Sequence, residues 1–323
     1  MSLDEFAGKL NEWGRQKIPF LFLVDFEMQK PLVFPLHEIH TAKILYDING
    51  FTNNTDEVPE IKPIDFIKFP VPFGDYKKKF ETVASHLAYG DSYLTNLTIK
   101  TKVRTEMSLR EIFFLSRAKY KLLFEKEFLV FSPETFVRIK DGKIFAYPMK
   151  GTIDAAITGA KEKILSDRKE MAEHVTIVDL IRNDLSAVAE NVQVTRFRYV
   201  DEIKTIHKNL LQISSEIQGD LSPEYLSRLG DILLNLLPAG SVSGAPKCKT
   251  VDIIRKTERE PRGYYTGVFG VFDGNVFDSG VMIRFIESDQ GVLYYRSGGG
   301  ITTQSTVETE YQEAIDKVYV PLN

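Results

Sequence analysis

Strand-like sequence is concentrated in two blocks of this chain, and helix-like sequence lies between them. The first block, FLVFSPETFVRIKDGKIFAYPM, alternates apolar and polar residues on both sides of Asp141-Gly142, a pair typical of a tight hairpin turn. The second block is YTGVFGVFDGNVFDSGVMIRFIE, followed by GVLYYRSGG. Because such strands are grouped apart from the helices, they favour an α+β fold with large antiparallel sheets over alternating α/β units.

Helical patterns occupy most of the remaining sequence. They predict helices between the two blocks and on either side of them, at 76–88, 167–189, 224–236, 245–256 and 305 to about 319. Near the N-terminus, IPFLFLVDFEMQKPLVFPL predicts two strands around a turn, and DSYLTNLTIKTKV alternates as a strand does. These elements predict large antiparallel sheets flanked by helices.

Charge and cysteine content exclude several classes of function. The chain has 41 Lys and Arg against 45 Asp and Glu, a net charge of -4, and so lacks the basic field typical of nucleic-acid binders. Its single cysteine, Cys248, excludes an internal disulfide and a cysteine-based metal site. MSLDEFAGKL does not follow the signal-peptide pattern, and the apolar runs are too short to span a bilayer. We therefore expect a cytoplasmic protein without membrane contact.

The last helix carries two acidic residues that need an explanation. Ser305 and Glu308 fit a capping box at its start. Glu310 and Glu313 are left over, three apart on a face nearly opposite the apolar stripe. Spacing alone favours a solvated face for this pair. The alternative is that the two carboxylates hold a hard divalent cation, which prefers oxygen ligands.

Glu173 lies in a helix that is apolar on most sides and shares one stripe with Ile177 and Asp184. A buried carboxylate is costly unless it is paired or bound to a metal. The residues alone leave two equal alternatives, a metal ligand or an ion pair with a residue such as Arg182. His174, on the other stripe, is interpreted as a hydrogen-bonded core residue.

Two small-residue segments are further candidates for ligand binding, and one lysine is a candidate nucleophile or base. The glycine run 298–300 permits close approach of a ligand and could form an anion-binding nest, or it could be a tight turn or bulge. The loop SVSGAPK (241–247) opens a helix, which suits an anion but is also compatible with an ordinary loop. Lys150 follows a strand that ends at Pro148, where lysines are mostly exposed; if it were desolvated, it could act as a nucleophile or base.

Eight motifs in order resemble those of the chorismate-utilising enzyme family, over about residues 75–320. They are DSYLTNLT, SPETF, YPMKGT, AEHVTIVDLIRND, AGSVSGAPK, PRGYYTGVFG, VMIR, and SGGGI followed by ETEYQEAIDK. The resemblance implies a two-lobed layered fold with large antiparallel sheets flanked by helices. It also implies that residues 75–323 form the chorismate-binding catalytic region and that residues 1–74 complete the same domain.

The resemblance assigns the substrate and metal contacts by position. It implies a magnesium ion held by Glu173 and Glu313, with Glu310 helping through water, in place of the solvated face that spacing favours. The substrate contacts that it implies are Lys247, Gly299 and Gly300 for the ring carboxylate, Tyr265 and Arg284 for the enolpyruvyl carboxylate, and Ser243 in the small-residue loop.

Lys150 indicates which branch of the family the chain resembles. Aminodeoxychorismate synthases carry a lysine in P-I-K-G-T, where anthranilate synthases have alanine, and this chain has PMKGT. The mechanism implied is covalent: Lys150 attacks ring C2 while Glu134 protonates the departing C4 hydroxyl, and ammonia then adds at C4 and expels the lysine. The lysine must be neutral to attack, which burial would favour.

Other positions narrow the activity further. Leu94 stands where isochorismate synthases carry the lysine that activates water, Gln212 where a histidine is usual, and Phe285 where a threonine follows the motif arginine. The resemblance implies ammonia from a separate glutamine amidotransferase subunit and a downstream lyase that releases 4-aminobenzoate. The alternatives are an anthranilate synthase component I and a chorismate-binding paralogue without turnover.

Overall fold

The computed structural model describes residues 1–54, 65–204 and 209–321. Its strands are β1 (Phe20–Val24), β2 (Leu32–Pro35), β3 (Ile44–Ile48), β4 (Phe51–Thr52), β5 (Phe66–Phe69), β6 (Leu94–Thr105), β7 (Tyr120–Phe124), β8 (Phe128–Ser132), β9 (Thr135–Lys140), β10 (Lys143–Ala146), β11 (Met149–Asp154), β12 (Glu190–Lys204), β13 (Asn209–Asp220), β14 (Gly244–Ala245), β15 (Val268–Phe272), β16 (Phe277–Val281), β17 (Phe285–Asp289) and β18 (Val292–Ile301). Its helices are α1 (Leu3–Gln16), α2 (Phe73–Tyr89), α3 (Leu109–Leu115), α4 (Ala160–Ser166), α5 (Arg168–Ser186), α6 (Leu229–Leu236), α7 (Gly240–Ser243), α8 (Lys247–Glu258) and α9 (Val307–Asp316), with 3-10 turns at Leu36–Glu38 and Tyr225–Arg228. None of the described helices combines the length and apolar character needed to cross a membrane.

The strands form two nine-stranded sheets, and their described pairings are antiparallel. The first sheet has the order β11-β13-β10-β9-β16-β15-β1-β2, with β12 also paired to β13. The second has the order β14-β6-β18-β17-β8-β7-β3-β4, with β5 also paired to β6. The predicted fold, with large antiparallel sheets flanked by helices, is confirmed.

The strand β1 shows how the sequence produces this layering. Successive side chains of a strand point to opposite faces of its sheet. Phe20, Phe22 and Val24 pack in a core cluster that includes residues of α1 and α6, whereas Leu21 and Leu23 pack with residues of the second sheet. Because both faces are covered, FLFLV is apolar throughout instead of alternating with polar residues.

The Asp141-Gly142 hairpin is confirmed. These two residues have φ values of 52° and 73°, the left-handed backbone that two-residue hairpin turns require, and they connect β9 to β10. The capping-box prediction for the last helix is wrong. The N-cap residue of α9 is Thr306, and the Ser305 hydroxyl donates to Glu310, 2.7 Å away, instead of capping the helix with Glu308.

Close packing between α1 and α6 depends on Gly230. A Cβ atom at this position would lie 2.4 Å from the Ala7 carbonyl oxygen and 2.6 Å from its Cα. We expect Gly230→Ala to lower the free energy of unfolding by about 1–3 kcal/mol, because two helix backbones must separate. Urea denaturation measures the effect.

Gly8→Ala in α1 is the matched control: its Cβ would meet no atom within 4 Å, and better helix propensity should raise stability by up to about 1 kcal/mol. Equal stability of Gly230→Ala and wild type would contradict this packing.

Candidate active site

A cleft of about 190 Å³ is lined by residues of both sheets. The β10–β11 connection and the start of β11 contribute from the first sheet, and β6 and the end of β18 contribute from the second. Among the described lining residues, the cationic side chains are Lys150, Arg284, Arg296 and Lys317. Glu134 adds a carboxylate. Lysine and arginine side chains in a concave site can donate hydrogen bonds to a ligand with more than one anionic group.

Lys150 projects from β11 and forms an ion pair with Glu173 of α5. The Nζ–Oε2 distance is 2.7 Å, and the two side chains are 28% and 13% exposed. Burial alone would lower the pKa of Lys150, but the charge and the hydrogen bond of Glu173 outweigh it and raise the pKa above its usual value. Burial therefore favours the neutral lysine, as expected, but Glu173 decides the net direction in favour of the charged form. Of the two alternatives for Glu173, the structure shows an ion pair, with Lys150 and not with Arg182, which pairs with Asp179.

Glu134 lies in the short connection between β8 and β9. The Ser241 hydroxyl of α7 donates to its Oε1 at 2.5 Å. Burial raises the pKa of Glu134, and the bond from Ser241 and the charges of Lys317 and Lys150 oppose that rise without cancelling it. This carboxyl group therefore keeps a proton to higher pH than an exposed glutamate does. Ser241 was not among the predicted site residues, although the small-residue loop that contains it was singled out.

The glycine run 298–300 continues β18 and pairs with Thr98, Leu97 and Asn96 of β6. It forms neither the predicted nest nor the alternative tight turn. Since β17 pairs with β18 only as far as Arg296, the glycines line the cleft beyond that point. A backbone edge without side chains lets a ligand approach closely.

Glu310 and Glu313 of α9 converge near Gly299. A Cβ on Gly299 would lie 3.5 Å from Oε2 of Glu310 and 3.6 Å from Oε1 of Glu313. Glu310 is 5% exposed, so the solvated-face interpretation is wrong for it. Glu313 is 46% exposed and lies 2.6 Å from Nζ of Lys317, which also donates to the Gly298 carbonyl. Lys317 was missed by the sequence reasoning; its position four residues after Glu313 on one helix face was the available signal.

Magnesium binding by Glu173, Glu310 and Glu313 stays a prediction. Within residues 1–54, 65–204 and 209–321, no cluster of three or more His, Cys, Asp or Glu side chains is arranged to hold a metal ion. The donors are nevertheless all carboxylates, the type of ligand that magnesium prefers.

The other predicted substrate contacts fall into two groups, those that line the cleft and those that do not. Tyr265 and Arg284 both line the cleft. The Arg284 guanidinium donates to the Lys317 carbonyl at 2.6 Å and stacks over Tyr319. Lys247 and Ser243 do not line the cleft. Lys247 pairs with Asp184 at 2.9 Å, and the Ser243 hydroxyl donates to the carbonyl of Ala239. Their contact with substrate stays a prediction.

Three other predicted positions have clear surroundings. His174 is buried, and its Nε2 lies 2.7 Å from the Ser215 hydroxyl. Burial, helped by Arg198 and Lys150, lowers the His174 pKa to about 4, so the core-histidine interpretation is confirmed. Leu94 lines the cleft, and Gln212 donates to the sulfur of Met149.

Comparison with known proteins gives consistent similarities. The sequence pattern of a family described as chorismate binding enzyme matches residues 34–323. A protein from Haemophilus influenzae named "Uncharacterized PabA-like protein" is 49% identical over 321 residues, covering 99% of this chain and 98% of that protein. Aminodeoxychorismate synthase component 1 of Klebsiella aerogenes is 32% identical over 260 residues, covering 76% of this chain and 56% of that protein. Anthranilate synthase component 1 of Archaeoglobus fulgidus is 34% identical over 254 residues, covering 75% of this chain and 60% of that protein.

Solved structures show the same fold. A putative 2,3-dihydroxybenzoate-specific isochorismate synthase from Bacillus anthracis superimposes with a TM-score of 0.73 at 20% identity, covering 98% of this chain and 87% of that chain. Anthranilate synthase component I from Streptococcus pneumoniae superimposes with a TM-score of 0.64 at 27% identity, covering 79% of this chain and 59% of that chain.

Proposed function

This chain belongs to the family of chorismate-binding enzymes, and on that premise we propose that it aminates chorismate at C4 with ammonia to form 4-amino-4-deoxychorismate. The observation that carries the proposal is Lys150, which lines the same cleft as Glu134 and has an acceptor for its proton, Glu173, at 2.7 Å. A nucleophile, an acid and a proton acceptor are the groups that this reaction needs.

Chorismate carries two carboxylates, and the cleft offers matching donors. The cleft wall includes Arg284, Tyr265, the glycine edge and Lys317, whose Nζ donates to the Gly298 carbonyl. An arginine can bind a carboxylate through two parallel hydrogen bonds, which orients the ligand as well as holding it. Two carboxylates held by different donors would fix the ring in one orientation relative to Lys150.

The first half of the reaction makes a covalent adduct. Lys150 transfers a proton to Glu173, and its Nζ forms a bond to ring C2. Both conjugated ring double bonds shift, so that the electrons move around the ring from C2 to C4. The C4–O bond breaks, and the proton of Glu134 leaves with the hydroxyl group as water. The raised pKa of Glu134 suits this role because the group must still be protonated when the substrate binds.

The second half releases the enzyme. Ammonia forms a bond to C4, both ring double bonds shift back, and the bond between C2 and Lys150 breaks. The surplus proton of the added nitrogen returns to Glu134, and Glu173 returns a proton to Lys150. Chorismate and ammonia are thereby converted to aminodeoxychorismate and water, and both carboxyl groups regain their starting state.

Magnesium fits the donor set that surrounds the cleft. Glu310 and Glu313 would supply oxygen ligands, and the missing side chain of Gly299 leaves room beside them. Glu173 would supply a further ligand while it is ionised, before it takes the proton of Lys150. When bound, the ion would neutralise carboxylate charge and help to orient the substrate's ring carboxylate.

Removing the metal should abolish turnover. We expect EDTA-treated protein to lose aminated product and magnesium to restore it, because without the cation the carboxylates of α9 repel an anionic substrate. Glu313→Gln should raise the magnesium concentration needed for half-maximal activity. Isothermal titration of magnesium in the presence of chorismate gives a second readout. Full activity in EDTA would remove magnesium from the proposal.

The source of ammonia and the fate of the product complete the proposal. Relatives carry the words "component 1" in their names, which supports a multi-component enzyme. We assign ammonia supply to a separate glutamine amidotransferase subunit, and product consumption to a separate lyase that releases 4-aminobenzoate for folate synthesis, in the cytoplasm.

A product assay tests the function directly. The protein is incubated with chorismate, magnesium and ammonium, and the products are identified by mass spectrometry with and without an added lyase. Aminodeoxychorismate, converted to 4-aminobenzoate by the lyase, is the expected result. Anthranilate with pyruvate would move the chain to the anthranilate synthases, one of which is 34% identical to it, against 32% for an aminodeoxychorismate synthase component 1. Tight chorismate binding without any product would indicate a binding paralogue.

A further inference from the structure

Arg262 is a fully buried arginine directly behind the cleft wall. It is 1% exposed, and its guanidinium forms a two-pronged ion pair with Glu258 of α8, at 2.9 Å from Nε and 2.7 Å from Nη2. Burying two charges is costly unless their remaining hydrogen-bonding groups are satisfied. The other hydrogen bonds of Arg262 and Glu258 therefore indicate the structural role of the pair.

Those contacts join three separate segments of the cleft wall. Nη1 of Arg262 donates to the carbonyl of Val242 at 2.8 Å and approaches the hydroxyl of Thr266 at 3.4 Å. Nη2 donates to the carbonyl of Asn96 at 2.8 Å. Val242, Thr266 and Asn96 belong to α7, to the loop before β15 and to β6, and all three line the cleft. Glu258 adds a further hydrogen bond to β6, because its Oε1 accepts the backbone N–H of Thr98.

The N-terminal part of the chain holds this arginine in place. The carboxylate of Glu27 accepts the backbone N–H groups of Arg262 and Gly263, each at 2.9 Å. The guanidinium lies 4.6 Å from the ring centre of Phe26, a cation–π contact. The turn after β1 is therefore connected through Arg262 to the loop that carries Tyr265.

We infer that Arg262 is a positioning residue for the chorismate site: its guanidinium fixes Asn96, Val242 and Thr266 relative to one another, and the turn at Glu27 fixes Arg262. The inference rests on the proposed function only in the identity of the ligand. Arg262 does not touch the cleft, so its effect passes through the three segments that it joins. Arginine is required because lysine presents one ammonium group and cannot reach all of these acceptors in a planar fork.

Arg262→Lys tests the inference because it keeps a positive charge beside Glu258 and so avoids leaving a buried carboxylate unpaired. We expect chorismate to bind about tenfold more weakly, the effect of roughly one well-placed hydrogen bond. Arg198→Lys is the matched control: Arg198 is also buried and also bonds backbone carbonyls, those of Ile164 and Leu165, which do not line the cleft. It should lower the melting temperature and leave the affinity for chorismate unchanged.

Titration calorimetry with chorismate is done well below the melting temperature of each variant. Wild-type affinity in Arg262→Lys, or an equal loss in Arg198→Lys, would overturn the positioning role. Glu27→Gln, which keeps one acceptor oxygen, should give a smaller loss than Arg262→Lys, and a larger loss would also overturn it.

Hydrogen exchange of the free protein separates this inference from the proposed function. Arg262→Lys should speed amide exchange in residues 94–98, 240–245 and 264–267 together, and Arg198→Lys should not. If wild-type protein neither binds nor converts chorismate, the proposed function fails. In that case the exchange result alone decides, and unchanged exchange in these three segments would overturn the positioning role.

Discussion

Replacing Lys150 with alanine should abolish formation of aminodeoxychorismate and leave chorismate binding largely intact. The variant lacks the nitrogen that bonds to ring C2, so one difficult displacement can no longer be divided into two easier steps. We expect kcat to fall roughly a thousandfold or more, the scale seen when a catalytic nucleophile is removed. Substrate affinity should change much less, because Arg284 and Lys317 remain in the cleft wall.

A second substitution distinguishes a role of Lys150 as a nucleophile from a role as a positive charge only. Lys150→Arg keeps a cation next to Glu173 but offers a poor nucleophile, so it should be as inactive as Lys150→Ala. Quenched reactions analysed by mass spectrometry give the rates. Without ammonia, intact wild-type protein should gain the mass of chorismate less one water, and neither variant should. Lys161→Ala, an exposed lysine on α4, is the control and should match wild type. A catalytically competent Lys150→Arg would show that Lys150 acts only as a charge.

Much of the fold was predictable because hydrophobic periodicity and turn residues are local signals. Asp141-Gly142 identified a hairpin, and the two strand-rich blocks predicted the large antiparallel sheets. The long β12–β13 hairpin was missed. In β12 polar and apolar residues alternate over NVQVT and again over RFRY, but register shifts between Val194 and Arg196 and between Arg196 and Tyr199 interrupt the pattern, so it does not extend over one long strand.

The site was predictable residue by residue but not pair by pair. Motif positions led to Lys150, Glu134 and Glu173, yet the contacts that set their chemistry join distant elements. Lys150 forms an ion pair with Glu173, and Glu134 accepts a hydrogen bond from Ser241. Periodicity carries no information about such distances. For the same reason burial alone gave the wrong direction for the pKa of Lys150, because the nearby Glu173 charge decides it.

Glu134→Gln is the other substitution with a large expected effect. Glutamine has nearly the same shape and can still accept the Ser241 hydrogen bond, but it cannot give a proton to the departing hydroxyl. Loss of a general acid typically lowers the rate by about 10²–10⁴-fold. Because attack at C2 and departure at C4 occur in one step, the variant should also fail to form the adduct with Lys150 when ammonia is withheld. Adduct formation at the wild-type rate would contradict the assignment.

The pH dependence of activity gives an independent test of Glu134 as the proton donor. Activity requires protonated Glu134, so kcat/KM should fall as pH rises through the pKa of this group, which burial has already raised. The hydrogen bond from Ser241 opposes that rise. Ser241→Ala removes the bond, so the pKa of Glu134 should rise further and the falling limb should move to higher pH, with activity retained below it. If the decline in activity moves to lower pH or stays in place, a group other than Glu134 controls it.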